Sequence, residues 1–74
     1  MKYLIVVERT GTGFSAYSPD VPGCVATAGT QADVEHDMAA AILFHLDGLR
    51  AEGHELPEPR SVSTYVEVPR PLPT

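Results

Sequence analysis

The sequence predicts an α+β domain of order β-β-β-α-β: a single sheet of strand order 3-2-1-4 with one long helix on one face. Three observations carry this. Two short strand-like runs, residues 3–7 and 14–18, flank the glycine-containing reversal Thr10-Gly11-Thr12-Gly13, which makes a hairpin. Residues 31–52 change to a helical period, and residues 61–68 return to alternation. With one helix between strands three and four, a right-handed crossover would bring strand four back parallel to strand one and beside it.

Tyr3-Leu4-Ile5-Val6-Val7 is apolar on both parities, so strand one is expected at the centre of the sheet, covered in part on both faces. Strand two places Phe14 and Ala16 on one face and Ser15 and Tyr17 on the other. A stiff connector follows, Ser18-Pro19-Asp20-Val21-Pro22-Gly23. Pro19 and Pro22 fix φ and bias Ser18 and Val21 toward extended backbone, and Gly23 permits positive φ before the chain resumes. Cys24-Val25-Ala26-Thr27-Ala28 then forms a third strand of small residues, suited to a close crossing.

Thr30 offers a side-chain oxygen to the first free amides of a helix, and Asp33 three positions on suits its positive end. Val34, Met38, Ile42, Leu46 and Leu49 recur at threes and fours on one stripe, which should cover the sheet. Gly53 with Pro57 beyond it marks the stop. Phe44 falls nearly opposite the stripe and needs cover from the C-terminal tail or from another chain. After an extended polar link, residues 61–68 place Val62, Val66 and Val68 on one parity and Ser63, Tyr65 and Glu67 on the other, a half-covered strand. The proline-rich residues 70–74 cannot continue a ladder, so the domain is expected to span residues 1–69.

Seventy-four residues support one domain that buries little more than half of its unfolded surface, so help from a second chain is expected as a homodimer or higher homo-oligomer. The single cysteine excludes an internal disulfide and fits a reducing cytoplasm. The apolar run at residues 3–7 is too short for a signal peptide or a membrane span. Ten acidic residues against five scattered basic ones give a net charge of −5, a surface that repels phosphate backbones and is better matched to a basic partner.

No converging catalytic set emerges. His36 and His45 lie nine helical residues apart, on opposite faces, and cannot share a metal. Asp33, His36 and Asp37 sit one turn apart and read as a solvated acidic face. Cys24 has no nearby histidine and no helix N-terminus directly after it, so it reads as a small buried apolar residue. Gly11-x-Gly13 lacks the third glycine and the following helix of a phosphate loop. No cofactor and no catalytic residue is expected, and the residues alone imply a small acidic binding domain.

The run Tyr17-Ser18-Pro19-Asp20-Val21-Pro22-Gly23-Cys24, followed by His45-Leu46-Asp47-Gly48-Leu49-Arg50, then Gly53 and Leu56-Pro57-Glu58-Pro59, resembles the HicB family of bacterial antitoxins over nearly the whole chain. The resemblance implies a partial ribonuclease-H-like layer and a non-enzymatic subunit that covers the active surface of a small, basic, RNA-cleaving HicA-type toxin. Many such proteins carry an added DNA-binding segment. Here the sequence stops six residues after strand four, so direct nucleic-acid binding is not expected. Tyr17, Asp20, Phe44 and Asp47 are the expected partner contacts, and Pro19, Pro22, Gly23, Cys24 and Gly53 the structural positions. Two other readings stand beside this one: a solitary HicB-like oligomeric domain with a scaffold role, and a remnant of a metal-dependent nuclease.

Overall fold

The computed structural model describes residues 1–71; the end of the proline-rich tail, residues 72–74, lies outside the described residues. Three antiparallel strands, β1 (Val6–Arg9), β2 (Phe14–Tyr17) and β3 (Val25–Ala28), precede one helix, α1 (Gln31–Ala51). The sheet order is β1-β2-β3, which leaves β1 at an edge.

The hairpin is closed by the Thr10 amide donating to the Gly13 carbonyl at 2.9 Å, which sets Arg9 opposite Phe14 and Val6 opposite Tyr17. The first strand therefore starts three residues later than the apolar run at residues 3–7 implied. The cause is the partner. β2 stops at Tyr17 because Pro19 cannot donate to a ladder. Residues before Val6 thus have no strand opposite them, and Ser18 instead donates its hydroxyl to the Leu4 carbonyl at 2.8 Å. Tyr3 and Ile5 still pack against the core without ladder pairing.

Ser18 to Cys24 is a pair of consecutive β-turns. The Val21 amide donates to the Ser18 carbonyl and the Cys24 amide to the Val21 carbonyl, both at 3.3 Å. Each turn has proline at its second position, where φ is already set, and the second turn has Gly23 at its third position with φ +88°, the conformation a type II turn demands. The two turns carry Val21 into the core, where it is fully buried.

The sheet's inner face is lined by Val7, Ala16 and Ala26 in one cross-strand row, small enough to let the helix approach. Helix α1 lies mainly over β3 and β2 and touches β1 least. It begins where Thr30 Oγ1 accepts the Asp33 amide at 3.1 Å. It ends in a Schellman motif, with the Gly53 amide donating to the Arg50 carbonyl, the His54 amide donating to the Leu49 carbonyl, and Gly53 at φ +79°. Val34, Met38 and Ile42 are its buried residues, and with Ala16, Val21 and Cys24 they form the core; Leu46 packs at its margin.

Residues 61–68 form no strand in this structure, so the fourth strand expected beside strand one is not part of the sheet, and β1 is an edge strand rather than a central one. Strands are held chiefly by the side chains they bury. Val62, Val66 and Val68 find no such cover here, being 86, 79 and 73% exposed. The arm is anchored at its root, where Asp20 accepts hydrogen bonds from Arg60 and Ser61. It extends the molecule to 57 × 27 × 17 Å, with a radius of gyration of 15.6 Å, against about 11 Å for a compact chain of this length.

Candidate functional site

Helix α1 presents two faces that differ in kind. The inner stripe is apolar and buried. On the outer stripe, Asp33, Asp37, Phe44 and Asp47 succeed one another at spacings that keep them within about 80° of arc, and all four are exposed. Phe44 is 82% exposed and its neighbour Leu43 62%. The C-terminal segment, among the described residues, does not cover Phe44. An aromatic ring framed by carboxylates is thus the most prominent feature of this face.

A second apolar row crosses the outer face of the sheet. Val6, Tyr17 and Val25 are direct cross-strand partners, with Glu8, Ser15 and Thr27 in the next row of the same face. Tyr17 is 43% exposed and Val25 69%. This row and the Phe44 stripe lie on opposite sides of the two-layer body. The four residues expected to contact a partner therefore do not converge: Tyr17 belongs to the sheet face, and Phe44 with Asp47 to the helix face.

Asp20, the fourth, is already engaged. Its Oδ2 accepts the Arg60 amide at 2.9 Å and the Ser61 amide at 2.8 Å, while its Oδ1 accepts the Ser61 hydroxyl at 2.9 Å. The Ser61 amide foremost, then its hydroxyl and the Arg60 amide and charge, hold the carboxyl below its ordinary value of 3.8 against a partial loss of hydration. A second tie lies nearby, where the Tyr3 hydroxyl donates to the Pro57 carbonyl at 2.6 Å. Together they fasten the link after α1 to the proline turns and to the chain before β1. Sequence reading placed Asp20 in the stiff connector and among the partner contacts. A contact forty residues distant in sequence leaves no local signal, and only the Asp20 carboxylate's position between two prolines hinted at a fixed acceptor.

Cys24 is buried, and its Sγ faces the Ala41 carbonyl at 3.8 Å. Loss of hydration raises the thiol's pKa, the direction opposite to that of a nucleophile. His45 is half-buried, whereas Asp33, His36 and Asp37 are exposed. Among the described residues, no three His, Cys, Asp or Glu side chains gather in a metal-holding group, and no helix is long and apolar enough to cross a membrane.

Comparison with known proteins places this architecture. A curated protein of Haemophilus phage HP1 (strain HP1c1), described as an uncharacterized 14.9 kDa protein in the rep-hol intergenic region, is 32% identical over 69 residues. The match takes in 93% of this chain but 52% of that protein, so the chain spans about half the length of this relative. Among solved structures, a chain of a HicA3 and HicB3 toxin-antitoxin complex is similar at 35% identity with a TM-score of 0.69, over 81% of this chain and 70% of that one. A family model described as HicB_like antitoxin of bacterial toxin-antitoxin system matches residues 3–70, essentially the whole described chain. The three-stranded antiparallel sheet with one long helix matches the fold of the HicB-like antitoxin family, to which this chain belongs.

Proposed function

We propose that this chain is the non-enzymatic partner of a small, basic, RNA-cleaving toxin of the HicA type, and that it acts by covering the toxin's active surface. The observation that carries this reading is the similarity, at 35% identity, to a chain of a toxin-antitoxin complex. The molecule's own surface supports it. The outer stripe of α1 joins three carboxylates to an exposed aromatic ring, and such a face attracts a cationic partner at long range and anchors it by burying the ring. A partial ribonuclease-H-like layer is the architecture that goes with this role, and the cytoplasm is where such a toxin would act.

The test is co-purification and toxin neutralisation. A short basic polypeptide encoded beside this chain's gene should co-purify with it, and RNA cleavage by that polypeptide should stop at one equivalent of this chain. Phe44→Ala should raise the amount needed at least tenfold while leaving thermal unfolding of the isolated chain in place. A large fall in the melting temperature of that variant would assign Phe44 to folding instead. Unchanged RNA cleavage in the presence of excess chain would remove the antitoxin reading altogether.

A further inference from the structure

Given the antitoxin role proposed above, on which this rests, we infer that Gly48 is a docking notch. The basic partner lies directly on the bare backbone of α1 at this residue, beside the Phe44 ring, and a cationic side chain of that partner is received by Asp47 and Glu52.

Gly48 is the glycine of this chain that stands inside a helix; the others, all among the described residues, lie in turns and bends. A helical glycine works against the isolated chain, because its backbone loses more freedom on folding than that of alanine. Nothing within the fold asks for it. Gly23 and Gly53 adopt left-handed backbone, whereas Gly48 has no positive φ. A Cβ added to Gly48 would meet nothing within 4 Å, so no neighbouring side chain or strand crowds the position either. What the missing side chain does provide is close approach to the helix backbone from outside.

The surroundings say what approaches. Phe44 lies one turn before Gly48 on the same side of α1 and is 82% exposed. Side chains on a helix lean toward its N-terminus, so the ring stands over the preceding turn and leaves Gly48 uncovered. Ala51, three residues on, is also small and exposed, which continues the bare floor. Asp47 and Glu52 flank it, both exposed, near the helix end where the macrodipole is negative and disfavours a carboxylate. Glu52 has His54 at 3.5 Å, while Asp47 has no basic group within 4 Å among the described residues. Arg50, the basic residue of the last turn, is two residues past Gly48 and so about 160° round the helix from it.

An exposed ring, a helical glycine and carboxylates at the negative helix end each burden the lone chain, and all three meet within two turns of one face. Charge decides the occupant: carboxylates on a chain of net charge −5 select a cation. A lysine or arginine stem laid across Gly48 packs against Phe44 and carries its charge to Asp47 and Glu52.

The experiment uses the full chain and the short basic polypeptide encoded beside its gene. Gly48→Ala should raise the melting temperature of the isolated chain by roughly 4 °C or more. The same variant should bind the polypeptide roughly tenfold more weakly, because its methyl group holds the partner off the backbone. Gly48→Gln, also a good helix former but longer, should bind more weakly still. Stability and binding then move in opposite directions, which a folding defect does not reproduce. Asp47→Asn should weaken binding and flatten its dependence on salt. Tight binding by the wild type that neither Gly48 variant disturbs would overturn the notch and leave the antitoxin reading standing. A Gly48→Ala chain less stable than the wild type would overturn it as well, since the glycine would then serve the fold. A salt dependence that Asp47→Asn does not alter would rule out the cationic contact, and no binding by the wild type would remove the notch and the antitoxin reading together.

Discussion

Helix α1 and the arm at residues 61–68 are both periodic segments, and they meet opposite fates within one chain. The helix buries Val34, Met38 and Ile42 against the sheet, whereas every arm residue from Val62 onward is exposed. Apolar periodicity alone does not distinguish them. What differs is the presence of a complementary surface: α1 has the inner face of three strands beneath it, with Ala16 and Ala26 leaving room for close approach, and nothing lies against the arm's valines. A pattern in sequence specifies which face will be covered, and the cover itself has to come from elsewhere in the assembly.

The contrast is sharpened most by cutting into the helix side. Met38 is fully buried at the centre of the core. Met38→Ala should cost about 2–5 kcal/mol, a large part of the about 4–11 kcal/mol available to a chain of this length, and should move the urea midpoint strongly or unfold the chain. Val66→Ser at matched low concentration, where any association is absent, should leave that midpoint in place. If the arm variant destabilised the dilute chain as much as the core variant, the two regions would not be separate.

A smaller effect is expected at the helix start. Thr30 Oγ1 accepts the Asp33 amide, so Thr30→Ala should cost about 1 kcal/mol. Thr30→Ser, which keeps the acceptor, should recover most of it. Thermal melts of the three proteins decide the matter, and no difference between alanine and serine would mean that the cap contributes nothing.

The regions that could be read from sequence are those whose determinants are local. The helix start at Gln31, an end one residue short of the expected 52, the apolar stripe with Val34, Met38 and Ile42 buried, the cap at Thr30 and the stop at Gly53 all follow from residues a few positions apart. The hairpin and the positive φ at Gly23 in the proline connector were equally legible. The extent of β1 was not, because it depends on where β2 stops, and the alternation at residues 61–68 could not by itself say which chain would pair with it. At the candidate contacts, the exposure of Phe44 was legible from its angle on the helix. The burial of Val21 and the grip of Asp20 on Ser61 were not, since both follow from the way two tandem turns aim their side chains.

The smallest effect on the body, and the most local, is expected where the two regions join. Asp20 is held below its ordinary value of 3.8 by donors from Ser61 and Arg60, so its carboxylate form is favoured when the arm's root is docked. A group with a lowered folded-state pKa contributes stability above its unfolded value and loses it as pH falls through the folded one. The root should therefore stay docked from neutrality down to about pH 4 and loosen below that. Amide resonances of Arg60 and Ser61 would report this directly, shifting together along one titration curve whose midpoint lies under 3.8, while the Met38 methyl is still native-like. Asp20→Asn leaves one carbonyl oxygen where two carboxylate oxygens received three donors, so it should speed hydrogen exchange at Arg60 and Ser61 at neutral pH and abolish that titration. Its midpoint of global unfolding should move less than that of Thr30→Ala. Should the body unfold together with the root, the joint would be part of the core, and the two regions would not be separate.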